Sequence, residues 1–227
     1  MPDFSFEEKC CGPVAGIDEA GRGPLAGPVV AAAVILNRRR LAPEILAGID
    51  DSKKLSKPAR EAMFDILIRC ARIGVGAASV SEIDCINIHH ATLLAMRRAM
   101  TMLDPTPKFA LVDGKFAPQF GPEISCRVRT IVDGDALCFS IAAASILAKV
   151  ARDSALVAWD AVFPHYGFKD NKGYGTSEHL AALEQNGPTA LHRFSFEPVR
   201  IASRHQSRYE AWTGYPIPQQ GELFACP

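Results

Sequence analysis

Apolar positions along the chain fall into short runs separated by glycine, proline and charge, and the runs alternate between two periods. Residues 14–17 and 29–36 are two such runs flanking Gly21-Arg22-Gly23-Pro24-Leu25-Ala26-Gly27-Pro28. Three glycines and two prolines between apolar runs predict strand, tight loop, strand over about 14–36. Ser56 just before Lys57-Pro58 reads as the N-cap of a helix reaching residue 71. Residues 73–80 read as a strand. Ser81-Glu82-Ile83-Asp84 then opens a helix over 81–103, with an acid at the capping-box position, and Pro105 and Pro107 end it. Residues 109–114 and 124–132 are two more strands. Residues 137–163 are apolar almost all round, the pattern of a long buried helix. Ser145, Lys149, Arg152 and Asp153 make one polar stripe on it. Such a stripe is either a solvated edge or must meet a polar network or ligand.

Strands alternating with helices predict an α/β fold. At 227 residues the chain reads as one domain over 14–204. A short, loosely held lead-in (1–13) precedes it, and a polar, proline-rich and weakly ordered tail (205–227) follows. An apolar content of 48% is ample for a core, yet no run approaches the ~20 residues of a membrane span. The N-terminus lacks the apolar stretch of a signal peptide. Seven scattered cysteines with no C-x-x-C pair read as reduced thiols, so the expected location is cytoplasmic. Basic and acidic residues balance at 25 each. A nucleic-acid site must therefore be a local basic patch around an acidic centre. The tract Arg38-Arg39-Arg40 reads as a solvated loop.

The acids are placed more tellingly than they are numerous. Asp18 and Glu19 close the first apolar run, Asp113 precedes Gly114, and Asp133-Gly134-Asp135 ends the 124–132 strand. Three strand ends thus carry carboxylates, and loops at strand ends commonly hold ligand sites in α/β folds. Carboxylates are hard oxygen ligands suited to Mg²⁺ or Mn²⁺. Strand neighbours point to opposite faces. Asp18 and Glu19 therefore share a site only if the strand ends, bulges or lends a carbonyl there. The glycines admit close approach of a bulky ligand, and Arg22 adds a fork suited to phosphate. The plain alternative is a hairpin with solvated acids. A dinucleotide fingerprint fails, because Gly21, Gly23 and Gly27 lack its spacing. Lys53, Lys54 and Lys57 crowd around the Ser56 cap, either a solvated loop or a phosphate-contacting edge. Lys172 and Tyr174 lie in a loop of lysines, glycines and aromatics, which suits a sugar-phosphate backbone and stacking, or else packing at a turn. His89 and His90 read as packing or surface residues.

Taken together and in order, these segments resemble the ribonuclease HII family. The matching pieces are Gly16-Ile17-Asp18-Glu19-Ala20-Gly21-Arg22-Gly23-Pro24, Asp51-Ser52-Lys53-Lys54-Leu55, Val112-Asp113-Gly114, Gly134-Asp135, the run from Ala143 through Ser145 and Lys149 to Asp153, and Lys172-Gly173-Tyr174-Gly175-Thr176. The resemblance implies an RNase H-like fold, a mixed β-sheet flanked by helices with a small helical C-terminal part. It implies a metal-dependent endonuclease that cuts the RNA strand of RNA–DNA hybrids and 5′ to single ribonucleotides in duplex DNA, leaving 3′-hydroxyl and 5′-phosphate ends. The alternative is a catalytically weakened hybrid-binding module on the same fold. Asp18, Glu19, Asp113 and Asp135 take the places of the family's metal-binding acids, for two Mg²⁺ or Mn²⁺ ions. Gly21-Arg22-Gly23 matches its 2′-hydroxyl-reading loop, and Tyr174 its stacking tyrosine. Lys53, Lys54, Ser145, Lys149 and Lys172 are the candidate nucleic-acid contacts. Asp133 stands where the family usually has lysine. A monomer is expected, with a replication or transcription partner for the tail.

Overall fold

The structure is a computed structural model, and it describes residues 1–122 and 124–204. The expected tail over 205–227 lies outside the described residues. In chain order the elements are β1 (Val14–Ala20), β2 (Val29–Ile35), α1 (Pro43–Ala47), α2 (Lys57–Cys70), β3 (Arg72–Ala78), α3 (Val80–Thr101), β4 (Phe109–Asp113), β5 (Arg127–Ile131), α4 (Gly134–Leu137), α5 (Phe139–Asp160), α6 (Phe168–Asn171), α7 (Ser177–Asn186) and α8 (Glu197–Arg204). They divide into two compact units. The first holds Met1–Ala20, Val30–Ala77 and Thr92–Ala151; the second holds Gly21–Val29, Ala78–Ala91 and the described residues from Arg152.

The first unit is built on a mixed five-stranded sheet in the order β3-β2-β1-β4-β5. β1 runs antiparallel to β2, with Glu19 opposite Ala31, and parallel to β4, with Ile17 opposite Val112. β4 and β5 are parallel. The sheet packs on α5 through small side chains. Ala142, Ala143, Ala144 and Ala148 are fully buried against Ala32 and Val34 of β2 and against Met63 and Leu67 of α2. Alanines let the helix backbone come close, and Gly16 takes this furthest. A Cβ there would lie 2.1 Å from the Ser140 backbone carbon, so only glycine fits.

The helix-start chemistry is legible at Ser56, whose Oγ accepts from Ala59 N at 3.4 Å. The next cap lies two residues before the one expected. Ser79 and Glu82 form the reciprocal box (Ser79 N to Glu82 Oε2, 2.8 Å; Glu82 N to Ser79 Oγ, 3.2 Å). Asp84 instead accepts from the Phe194 and Ser195 amides at 3.0 and 2.9 Å. α3 is broken at Asn87, with φ of 64°. The lead-in is held rather than loose. Phe4 is buried, Asp3 exchanges backbone hydrogen bonds with Leu137 and Phe139, and Glu7 Oε1 caps α5 by accepting from Ser140 N at 2.9 Å.

The second unit gathers Leu25, Ala26, Leu156, Tyr166, Phe168, Leu183 and Val199 into its own small core. His179 and His192 are buried there, with Nε2 atoms 3.0 Å apart. Burial drives the His192 imidazole down to about 3, reinforced by His179. No described helix is long and apolar enough to cross a membrane.

Candidate active site

The first unit brings the predicted acids together. Asp18 lies near the end of β1 and Asp113 at the end of β4, and these strands are direct neighbours in the sheet. Asp18 is 6% exposed and Asp135 7%, whereas Glu19 and Asp113 are half-buried. The alternation of β1 turns the Asp18 and Glu19 side chains to opposite faces. Asp135 is delivered differently from expectation. β5 stops at Ile131, Asp133 turns the chain with φ of 53°, and Asp135 sits in the first turn of the short helix α4. Asp133 itself is exposed.

The electrostatics show how closely the acids are packed. The Asp18 carboxyl is held well above the usual carboxylate range, first by burial and then by the charges of Glu19, Asp113 and Asp135. Asp135 is also raised, by burial and by Asp51 and Asp113. The Asp51 carboxylate adds a hydrogen bond that favours the protonated form of Asp135. In the sequence Asp51 belongs to a segment that matches the family, but nothing there assigns it a role. Its signal was its place directly before Ser52-Lys53-Lys54.

Opposing these charges, Lys53 Nζ lies 3.6 Å from Asp135 Oδ2. Burial alone would lower Lys53, but Asp135, Asp51 and Asp18 outweigh it and hold the ammonium above its ordinary value. Backbone amides supply further partners. Asp18 Oδ1 accepts from Glu19 N and Asp113 Oδ1 from Gly134 N, both at 2.7 Å. Among the described residues no three acids converge at metal-ligand geometry. Even so, the donor set is all hard oxygen, partly buried and only partly neutralised, which fits divalent cations of the Mg²⁺ or Mn²⁺ type. The other predicted residues of this unit are less direct. Lys54 Nζ pairs with Asp50 at 3.5 Å, and Lys149 is half-buried. Ser145 is buried, and its hydroxyl accepts from Ser52 N at 3.2 Å and donates to Ala142 O at 2.9 Å. It positions the Asp51–Lys54 segment from below.

The second unit gathers Gly21-Arg22-Gly23, Lys172 and Tyr174. Two arginines that are 0% exposed organise them. Arg193 donates to the carbonyls of Gly21 (2.6 Å), Arg22 (3.0 Å) and Gly27 (2.7 and 2.9 Å). Arg152 donates to those of Ala26 (3.1 Å), Pro28 (3.3 Å) and Lys172 (3.0 Å). The polar stripe therefore meets a polar network at Arg152, which takes a role that sequence reasoning left open. Arg193 was missed. Its only signal was a charge inside the apolar segment Leu191-His192-Arg193-Phe194. Burial, with Arg152 nearby, pushes Arg193 down to about 9, which leaves it cationic at neutral pH. Gly21 has φ of 96°, and a Cβ there would meet Arg152 Nε at 2.1 Å, so the clamp and the glycine require each other. Arg22 is exposed, and the Tyr174 ring is 43% exposed beside Gly23, with Arg152 Cζ 5.9 Å from the ring centre. Lys172 adopts φ of 51°, and its ammonium donates to Lys169 O.

Comparison with known proteins agrees across the chain. The family model described as ribonuclease HII matches residues 15–199. A ribonuclease HII of Rhodospirillum rubrum is 52% identical over 204 residues, covering 89% of this chain and 92% of its own. The crystal structure of ribonuclease H2 from Pyrococcus horikoshii superposes with a TM-score of 0.69 at 26% identity, covering 85% of this chain and 98% of that one. The ribonuclease HII of Archaeoglobus fulgidus, solved in complex with PCNA, superposes at 0.66 with 27% identity, covering 82% and 95%.

Proposed function

Because the chain belongs to the ribonuclease HII family and is a ribonuclease H endonuclease, we propose that it cuts the RNA strand of RNA–DNA hybrids and the phosphodiester 5′ to a single ribonucleotide in duplex DNA, leaving 3′-hydroxyl and 5′-phosphate ends. The observation that carries this reading is the gathering of Asp18, Asp113 and Asp135, with Glu19, at one end of the sheet, close enough to raise the Asp18 carboxyl.

The ribonuclease H family is metal-dependent, and Asp18, Asp113 and Asp135 would hold the Mg²⁺ or Mn²⁺ through their carboxylates, with Glu19, on the other face of β1, contributing through its backbone carbonyl. Bound there, the ions would activate a water and stabilise the leaving 3′-oxygen. The chain's own residues supply the rest. The acids release their excess protons as the site loads, so affinity rises with pH. Lys53, beside Asp135, meets the incoming phosphate with positive charge. In the second unit, Arg193 holds the Gly21 and Arg22 carbonyls and so fixes the loop before substrate arrives. That rigid loop lets backbone groups approach the 2′-hydroxyl, the group that separates RNA from DNA. Tyr174 supplies a flat exposed ring for the sugar that follows. Lys54, Lys149 and Lys172 add phosphate contacts. The PCNA complex of the Archaeoglobus enzyme supports a replication-clamp partner for this chain as well.

The test is a labelled DNA duplex containing one ribonucleotide, incubated with and without Mg²⁺ or Mn²⁺, with wild-type protein and Asp135→Asn. Metal-dependent cleavage 5′ to the ribonucleotide, absent in the variant, supports the proposal. Folded wild-type protein that binds the duplex without cutting it would instead make this a hybrid-binding module.

A further inference from the structure

A second basic feature of the first unit plays no part in the reaction above. A cavity of about 670 Å³ opens between the end of β2, the end of α2 and the start of β3, with Pro13 and Pro105 on its wall. It lies at the opposite end of β1 from the acids. Pro13 precedes β1 and Ile35 ends β2, whereas Asp18 and Glu19 sit near the far end of β1. Pro13 and Asp18 are five residue steps apart along the strand, about 17 Å.

Four arginines line the cavity: Arg38, Arg40, Arg69 and Arg72. No carboxylate among the described residues lines it. Arg38 is tied to Glu8, and Arg72 donates to the Asp104 carbonyl. Arg40 and Arg69 are exposed and form no ion pair or side-chain hydrogen bond with any described residue. Ile35, Leu36 and Ala71 give the cavity an apolar floor. So Arg38 and Arg40, from the tract that reads in sequence as a solvated loop, rim a concave site, and Arg69 and Arg72 join them from about 30 residues further along the chain. Its volume is in the range of small-ligand pockets, which are mostly apolar with a few convergent polar groups. Guanidinium forks match phosphate oxygens two at a time and also stack on flat rings. Arginines around an apolar floor suit a ligand that carries both a phosphate and a planar apolar body.

We propose that this cavity binds a nucleotide, either free or as the 5′-phosphorylated end of a strand. Arg40 and Arg69 would take the phosphates, and Ile35 and Leu36 would carry the base.

The experiment is calorimetric titration of the full chain, without added divalent metal, using ATP, inorganic phosphate and a 5′-phosphorylated tetradeoxynucleotide as separate probes. It is repeated with the double variant Arg40→Glu/Arg69→Glu, the milder Arg40→Gln, and Asp135→Asn. Saturable ATP binding tighter than that of inorganic phosphate is expected, weakened about tenfold or more by the double charge reversal and less by Arg40→Gln. Asp135→Asn leaves it unchanged. Because Arg40 and Arg69 are exposed and far from the acids, ribonucleotide cleavage by the double variant stays at the wild-type level, which also shows that it folds. Binding of ATP alone assigns the site to free nucleotides, and binding of both ATP and the oligonucleotide assigns it to strand ends. No saturable binding of either probe, or binding that survives the double charge reversal, would overturn the proposal.

Discussion

The acid cluster of the first unit and the arginine-held loop of the second solve opposite problems. Around Asp18 the carboxyls crowd together, only partly offset by Lys53, and burial and their mutual charge raise the proton affinity of Asp18 and Asp135. Around Arg193 and Arg152 two buried cations are satisfied by the carbonyls of the Gly21–Pro28 segment, with Asp153 beside Arg152 at 3.4 Å. The first region keeps an excess of negative charge that Lys53 only partly offsets. The second is finished before any ligand arrives. On the proposed function, the acids load cations and gain from carrying excess negative charge, and the loop reads a hydroxyl and gains from being rigid.

The contrast is sharpest in activity. Asp135→Asn or Asp113→Asn should lower ribonucleotide cleavage by at least about 10³-fold, because the acids act as a unit. Global folding, followed by circular dichroism, stays intact. Arg193→Met should break the other side of the comparison. It strands the buried Gly21 and Gly27 carbonyls and the partly buried Arg22 carbonyl and should cost about 3 kcal/mol of stability in denaturant melts. Arg193→Lys should not rescue it, since an ammonium cannot reproduce the fork.

The two regions should also answer pH in opposite directions. Asp18 and Asp135 bind protons more tightly folded than unfolded. Without metal, raising the pH above the ordinary carboxylate value of about 4 therefore costs stability until their raised values are passed. His192 is the reverse. It is pushed down to about 3 from 6.5, so the unfolded chain takes the extra proton between those values. Its contribution is complete above pH 6.5 and is lost as the pH falls toward 3. Hydrogen exchange at pH 5 and 7.5 should show α7 loosening in acid, an effect that His192→Gln should flatten. The smallest expected effect is at Tyr174. Tyr174→Ala should reduce cleavage about tenfold through lost stacking while leaving stability unchanged.

How much of this was legible in the sequence follows from where each residue's partners lie. Asp18, Asp113 and the hairpin were readable because strand period and turn chemistry are local, and the Ser56 cap was readable for the same reason. The cap at Ser79 was misplaced by two residues because Ser81 and Asp84 offer the same local pattern. What distinguishes them is a distant pair of amides at Phe194 and Ser195. Asp135 was found, but its route was not. A left-handed turn at Asp133 puts it on a helix rather than a strand end. Arg193 stayed hidden because its partners lie more than 160 residues away in the chain. The held lead-in was unreadable for a similar reason, since nothing local marks Glu7 as the cap of a helix that starts at Phe139.

The most direct test of the acid cluster compares thermal unfolding of wild-type protein and Asp18→Asn at pH 7.5, each with EDTA and with Mn²⁺. Neutralising Asp18 should raise the melting temperature of the metal-free protein, as the repulsion is relieved, and should abolish both the Mn²⁺-induced rise and cleavage. A variant that melts lower than wild type without metal, yet keeps the full Mn²⁺ response, would contradict the account.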